Sequence, residues 1–431
     1  MVPVIGARLH RPMAALSLRA GWMMLARLAA SALTLGTTLL LARLAPPEVF
    51  GTFSAAGSVS LLAAVLLTLN IEGGALFHAA RRSGPDAAAD YAAYRARCFH
   101  VLCAGSALLL AGCAAAALLR PDLWPVALAL GATPLYALSR VRARLAGAED
   151  LVLQGALPRL ITRPAVVFLG VAAFALAGHA PVLLQLLLLH LLAGLALTAA
   201  HHLSLPSDPR PPQRGSAPDT RGYLRTGLAL APGQILGENR VNLIIALAAL
   251  SLAPSEIAQI TVALALVNLI VFAQSAADTA LGARVSAALS RSDTAGLTQL
   301  LRLNRAIRLG ALICGAASLL ALRAPLLWLL GAPFAPAMDM AVILLGIPLT
   351  NALFGPAGLV IQAQARRRDG LLSAALGLGA LGLAVPLGGW LGGAPGAAAG
   401  AVAGYAIFHA AQWGANLRAG APDTGLLARP G

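Results

Sequence analysis

The sequence predicts an all-α, polytopic membrane protein with about 12 transmembrane helices in two pseudo-symmetric six-helix bundles. Three observations predict it. The 431 residues are 59% hydrophobic and only 11% charged, too little charge to cover a soluble surface. Apolar runs of about 20 residues recur along the whole chain, each long enough to cross a hydrocarbon core of roughly 30 Å. Finally, Leu44–Phe53 (LAPPEVFGTF) recurs 208 residues later as Leu252–Thr261 (LAPSEIAQIT), each copy lying between two long apolar runs. Such a duplicated plan is typical of transporters, with the substrate handled between the repeats.

The elements follow in order. The run 21–42 comes after a basic lead and is too long for the core of a cleavable signal, so it is expected to remain as the first span. The repeat motif then turns the chain into 54–78. Spans at 98–118, 123–139, 153–178 and 181–200 complete the first half, the one at 123–139 being the shortest. The polar stretch 204–223 is rich in Pro, Ser, Asp and Arg and reads as a flexible linker between bundles 1–203 and 224–431. The second half holds runs at 226–250, 257–283, 306–331, 338–362, 371–391 and 395–415. Arg323 suggests that 306–331 is a shorter span followed by an interfacial turn. Gly392, Gly396, Gly400 and Gly404 recur every four residues, a flat face on which helices approach closely in lipid. Pro134, Pro232-Gly233 and Pro348 lie inside spans and mark candidate breaks.

All 31 basic residues are arginine. The termini and even-numbered loops, with their span edges, carry 25 of them, including Arg140, Arg142, Arg144 and Arg159; the odd loops carry only Arg43, Arg120 and Arg323. That alternation places both termini in the cytoplasm and agrees with an even number of spans. The formal charge of +15 is thus a topology signal. Nucleic-acid binding is not expected, because the basic residues are spread over several loops and not gathered on one soluble face. Trp22, Trp124, Trp328, Trp390 and Trp413 all fall near span ends, as in an interfacial belt. Cys98, Cys103, Cys113 and Cys314 lie in spans without CxxC spacing and read as packing residues.

Six ionisable residues other than histidine lie well within spans: Arg27, Glu72, Arg163, Glu238, Arg240 and Asp278. Each costs at least ~2.5 kcal/mol at a bilayer centre, so each is expected to face a bundle interior or a wet cavity. Gln234, Glu238 and Asn242 repeat every four residues and share one helix face; Arg240 points away from that face. Gln274 and Asp278 share another, and the repeat offset maps Asn70 onto Asp278. No metal-binding or nucleophile motif is present. Gly377, Gly379 and Gly382 satisfy GxGxxG formally, but inside a membrane run and not in a βαβ unit. No enzyme is expected, since none of the loops offers a catalytic constellation.

The run Ala42–Leu66 (ARLAPPEVFGTFSAAGSVSLLAAVL) resembles the entry motif of O-antigen and polysaccharide flippases, through Arg43, Leu44, Pro47, Glu48, Phe50 and Gly51. Glu238 and Arg240, split by Asn239, stand near that family's acid–basic pair, and Leu329–Arg368 is similar to its tenth span and basic exit loop. The resemblance implies a place in the multidrug/oligosaccharidyl-lipid/polysaccharide exporter superfamily and in the bacterial cytoplasmic membrane. It implies alternating-access flipping of a polyprenyl-pyrophosphate-linked oligosaccharide, with glycan polymerase and glycosyltransferases of the same pathway as neighbours. No cofactor is expected beyond proton or monovalent-cation coupling.

On this reading Arg27, Arg163, Arg240, Gln234 and Asn242 are candidate substrate contacts, because guanidinium forks suit pyrophosphate. Glu72, Glu238 and Asp278 are candidate coupling groups, because a carboxylate in a low-dielectric cavity can titrate. The alternatives are a cation-coupled small-molecule antiporter of the same superfamily, with an acid-dominated cavity, or a membrane glycan polymerase or assembly scaffold. The topology is directly checkable. A reporter active only in the cytoplasm should work when fused after Arg418 and fail when inserted at Arg120; activity at both sites would break the assigned alternation.

Overall fold

The computed structural model describes residues 6–80, 87–205 and 220–425. Arg81, Arg82, Arg210, Arg214 and Arg429, the linker stretch 206–219, and the side chains of Arg8, Arg11 and Arg19 lie outside the described residues. The described residues form helices joined by short turns, without a strand. A backbone in lipid must satisfy its own hydrogen bonds, and a sequence this apolar does so as helices.

The first half begins with α1 (Gly6–Leu44) and α2 (Pro47–Leu67). A 3₁₀ turn (Ile71–Gly74) and α3 (Ala75–Ala80) follow. Then come α4 (Ala87–Leu119), α5 (Trp124–Gly131), α6 (Thr133–Ala148), α7 (Val152–Leu176) and α8 (Leu183–Ser204). The second half opens with α9 (Thr220–Glu238), α10 (Arg240–Ala248), α11 (Pro254–Ser290), α12 (Thr294–Ala321) and α13 (Arg323–Leu330). It closes with α14 (Ala335–Leu344), α15 (Gly346–Phe354), α16 (Ala357–Ala363) and α17 (Arg367–Arg418). Among the described residues, nine helices are long and apolar enough to cross a membrane.

Several boundaries differ from the sequence-based spans. The shortest expected run, 123–139, is the pair α5 and α6, and α6 continues to Ala148. No proline or glycine interrupts Leu135–Ala146, so the helix carries Arg140, Arg142 and Arg144 onward where a loop was expected. The second span starts earlier, at Pro47, whose fixed φ suits a first helical position, and stops earlier, at Leu69 and Asn70, both with φ near +50°. The seventh span breaks at Asn239, whereas Pro232 sits inside a continuous α9. Arg323 does open a separate short helix, α13, as its charge suggested.

The 52-residue α17 turns back on itself at Gly392 and Gly393, the latter at φ +59°. Its two arms are antiparallel, because a Cβ on Gly388 would lie 2.2 Å from the Gly396 carbonyl oxygen and one on Gly400 would lie 2.1 Å from that of Ala384. Gly396, Gly400 and Gly404 therefore serve close packing, whereas Gly392 leaves the expected face to form the turn, with nothing within 4 Å of an added Cβ. Glu256, the repeat counterpart of Glu48, ties the turn down: its carboxylate accepts from the backbone N–H groups of Ala253 (3.0 Å) and Ala394 (3.3 Å).

The two repeat motifs meet. Gly51 at the start of α2 lies against the Pro254 carbonyl at the start of α11, where no side chain would fit, and Phe50 packs on Phe334. Around them one apolar core joins both halves, from Leu41, Phe50 and Phe53 to Leu252, Ile257, Phe334 and Ala394. These residues flank the turns at 45–46, 249–253, 331–334 and 392–393, which define one face of the molecule. At the opposite face the core is divided. Ile71, Tyr94, Val141 and Leu145 form one cluster in the first half, and Leu281, Val285, Leu297 and Val360 form another in the second. The halves are thus fused at the turn face, while at the other the two clusters are distinct and, among the described residues, α9 alone crosses over, packing Tyr223 and Leu224 onto the first-half cluster.

Replacing Gly400 by Val should force the arms of α17 apart and cost about 1–3 kcal/mol, lowering the melting temperature in detergent. Gly379→Ala, with no atom within 4 Å of the added Cβ, should leave it unchanged or raised; equal melting for both would refute the hairpin packing.

Candidate functional site

The divided face holds the densest polar cluster of the described residues, built across the seam between the halves. Its foundation is the break after α2. Leu69 and Asn70 adopt left-handed backbone, which Asn tolerates well. The break is covered by α9, whose Gly227 sits 2.8 Å, measured from a built Cβ, from the backbone of Asn70 and Ile71. Asn70 donates from Nδ2 to the Gly227 carbonyl at 3.0 Å. Gly73 likewise leaves room for the amides of Asn70 and Gln234. The turn therefore presents Glu72 inward.

Arg140 reaches this turn from α6. Its Nε donates to Glu72 Oε1 at 2.5 Å, and one terminal nitrogen donates to Asn70 Oδ1 at 2.7 Å and to Gln234 Oε1. The side chains of Glu72 and Arg140 are 0% and 4% exposed. A pair this buried contributes little net stability, but removing one partner strands a charge and costs about 3–5 kcal/mol.

A second, more accessible tier lies beside it. Glu238, the last residue of α9, accepts from Arg144, from Arg159 at 2.9 Å and from Arg140 at 3.4 Å. Exposure of Glu238, Arg144 and Arg159 is 35%, 30% and 33%. Three guanidiniums from the first half thus converge on two carboxylates, one from each half. The break at Asn239 is what aims Glu238 there. Asn239 also turns Arg240 the opposite way, to Asn268 Oδ1 on α11 at 2.5 Å. The Leu236 carbonyl beside the break accepts from Tyr405 at 3.2 Å. Glu238 and Arg240 do not pair.

The other sequence-derived candidates are dispersed. Gln234 joins the cluster, and Asn242, one turn beyond Glu238, accepts from Ser58 on α2 at 3.4 Å, so the 234–238–242 face does look onto the first half. Arg163, one turn past Arg159, stacks 5.9 Å from the ring of Tyr136, a cation–π distance. Tyr136 donates to the His190 carbonyl at 2.7 Å, and the His190 ring meets Ser60 at 3.3 Å. Arg27 is half-buried on α1, which packs on α7 and α11.

Asp278 is not with Glu72 and Glu238. It belongs to a separate cluster within the second half, accepting from Arg308 at 2.5 Å and from Asn304 at 2.9 Å. Arg308 also donates to Asn304 and Asn351, and Gln274 bridges α12 to the carbonyl of Pro348. Every nitrogen of Arg308 is thereby used, as befits a brace. The repeat equivalence of Asn70 and Asp278 is visible here, since each faces an arginine at the same face of its half.

Sequence reasoning missed Arg140, Arg144, Arg159 and Arg308 because it assigned them to loops and span edges. The signals were present. Arg140 and Arg144 are spaced i, i+4 on an uninterrupted helical stretch, as are Asn304 and Arg308, and Arg159 and Arg163.

With the geometry in place, comparison gives a fold. No protein-family model matches the sequence, and no curated protein matches it. Among solved structures, an inward-facing multidrug resistance MATE family transporter of the MOP superfamily aligns with a TM-score of 0.68 at 12% identity, over 92% of this chain and 98% of that one. An outward-facing structure of such a transporter gives 0.59 at 12% identity, over 93% and 94%. The lipid II flippase MurJ, in an inward closed conformation, gives 0.65 at 11% identity, over 91% and 87%. The chain is an all-helical, multi-pass membrane protein with the fold of these solved structures.

Arg140→Ala should lower stability by about 3–5 kcal/mol through stranding Glu72, whereas Glu72→Gln combined with Arg140→Gln should cost less than Arg140→Ala alone. Additive losses in a double-mutant cycle of detergent melting curves would contradict direct pairing.

Proposed function

We propose that the chain is a flippase that carries a polyprenyl-pyrophosphate-linked oligosaccharide from the cytoplasmic to the periplasmic leaflet by alternating access. The observation that carries this reading is the convergence of Arg140, Arg144 and Arg159 on the seam between the halves, against only two carboxylates. A guanidinium presents a planar fork of donors that matches phosphate oxygens. Mounted where two halves meet, such forks suit an anionic headgroup that must be released when the halves rearrange.

The arginine bias orients the molecule in the bacterial cytoplasmic membrane. It assigns the divided face, with the cluster, to the cytoplasm and the fused face to the periplasm. Two of the three arginines on the fused side are neutralised locally, Arg120 by Asp122 at 2.9 Å and Arg323 by Asp339 at 2.8 Å, which strengthens the asymmetry. A shared core outside, and inside two distinct clusters bridged by α9 alone among the described residues, fit a body whose cytoplasmic side can part to receive substrate from that leaflet. The likeness to the MurJ structure supports a lipid-linked substrate, with the bundles 1–203 and 224–431 as the rocking bodies. Asn242, across the seam from Ser58, and Arg163, one turn beyond Arg159 on α7, are assigned to the sugar units, and Glu72 and Glu238 to charge balance as substrate enters.

The antiporter reading draws on the MATE likeness, but each of its three intramembrane acids is already held by arginine. That arrangement favours an anionic cargo over a cation.

In cells, Arg144→Ala with Arg159→Ala should reduce surface glycan at least about tenfold while membrane levels of the protein hold. Arg323→Ala, at the opposite face, should leave it unchanged. Normal glycan in the double variant would remove the cluster from the substrate path.

A further inference from the structure

The two tiers of the cluster differ in a way that assigns different jobs to their carboxylates. Glu72 and Arg140 are sealed, and Arg140 is also held by Asn70 and Gln234. Glu238, Arg144 and Arg159 are each about one-third exposed. Glu238 is the only carboxylate among the described residues that engages guanidiniums of both tiers; the neutral Gln234, also from the second half, accepts from Arg140 and from Arg144 at 3.4 Å.

The outer tier is also short of acceptors. Arg144 Nε is buried without a hydrogen-bond partner, and so is Arg163 Nε, one turn deeper on α7 than Arg159. The Asn239 amide nitrogen, next to Glu238, is buried and unpartnered as well. The one orphaned acceptor nearby, Glu72 Oε2, belongs to the sealed tier. Buried donors without acceptors are costly, and a carboxylate has too few oxygens to satisfy this many. A diphosphate group has more oxygens and more charge.

We propose that Glu238 is a built-in stand-in for the ligand: its carboxylate occupies the guanidiniums of Arg144 and Arg159, and a diphosphate group displaces it from them. This rests on the flippase reading for the identity of the ligand, but not for the exchange itself. The displacement is a swap of non-covalent partners. Two arginine–carboxylate contacts are exchanged for arginine–phosphate contacts, and the seam loses the one side chain by which α9 grips α6 and α7 through charge. An uncharged or cationic solute cannot make that exchange, so Glu238 sets the specificity of the site for anions while keeping the empty halves together.

The test is a binding titration of the purified full chain in detergent, with inorganic pyrophosphate and farnesyl pyrophosphate as probes. Glu238→Ala should tighten binding about tenfold, because its competitor is gone; the isosteric Glu238→Gln repeats the measurement should the alanine variant not yield folded protein. Glu149→Gln removes an equal charge from the same face, where it pairs with Arg95 at 3.2 Å, and should leave affinity unchanged. Equal affinity in wild type and both Glu238 variants overturns the stand-in while sparing the anion site. A gain matched by Glu149→Gln also overturns it, reducing the effect to bulk charge. No binding by any variant sinks both the stand-in and the flippase reading. Farnesyl pyrophosphate binding tighter than inorganic pyrophosphate marks a lipid-linked source and the reverse a soluble one, with the Glu238 effect expected for whichever binds.

Discussion

The structure depends on one requirement: a guanidinium and a carboxylate buried inside a membrane protein must find each other. Arg140 and Glu72 are almost wholly sealed, and neither would be tolerated alone. Much of the surrounding irregularity serves that meeting. α6 runs past the point where its apolar pattern ends, and two of its arginines, Arg140 and Arg144, are neutralised from the side. α2 breaks at Leu69 and Asn70 so that Glu72 turns inward and Asn70 supplies a further acceptor. Gly227 lets α9 lie directly on that break. What sequence alone presents as a topology signal is also the keystone of the site.

From this follows a division of labour across the membrane. At the turn face, the repeated LAP motifs meet and one apolar core fuses the halves. At the opposite face the clusters are distinct and the halves are joined through α9, by Tyr223 and Leu224 packed on the first-half cluster and by the polar and charged groups around Arg140 and Glu238. Apolar contacts are nondirectional and suit a permanent joint; charged contacts to a partly exposed carboxylate can be exchanged for a ligand of the same sign. The cluster around Arg308 shows what the same chemistry becomes when every donor is used within one half: an internal brace.

The helical fold was legible in the sequence because membrane insertion imposes length and apolarity on each span. Gly396, Gly400 and Gly404 announced their packing because close helix approach demands small residues at fixed spacing, while Gly392, in the same register, turned out to be the bend itself. Arg323 rightly marked a helix end. The site was only half legible. Glu72, Gln234 and Glu238 stood out as polar groups inside apolar runs. Their partners Arg140, Arg144 and Arg159 did not, because a helix extended by arginines looks the same as a loop until its carboxylate partners, far away in the chain, are seen beside it. The break at Asn239 was missed in favour of Pro232-Gly233, since proline is accommodated inside α9 whereas Asn239 yields to tertiary packing around Leu236 and Tyr405. Asp278 was grouped with the other acids by depth alone, which cannot tell which half a charge faces.

The central claim, that the inter-half arginines receive the anionic headgroup, is tested most directly by an experimental structure of the chain bound to a polyprenyl-pyrophosphate-linked sugar. The account predicts phosphate density bridging Arg144 and Arg159, with the Glu238 carboxylate withdrawn from both. Density elsewhere, with Glu238 still paired to those two arginines, would contradict it.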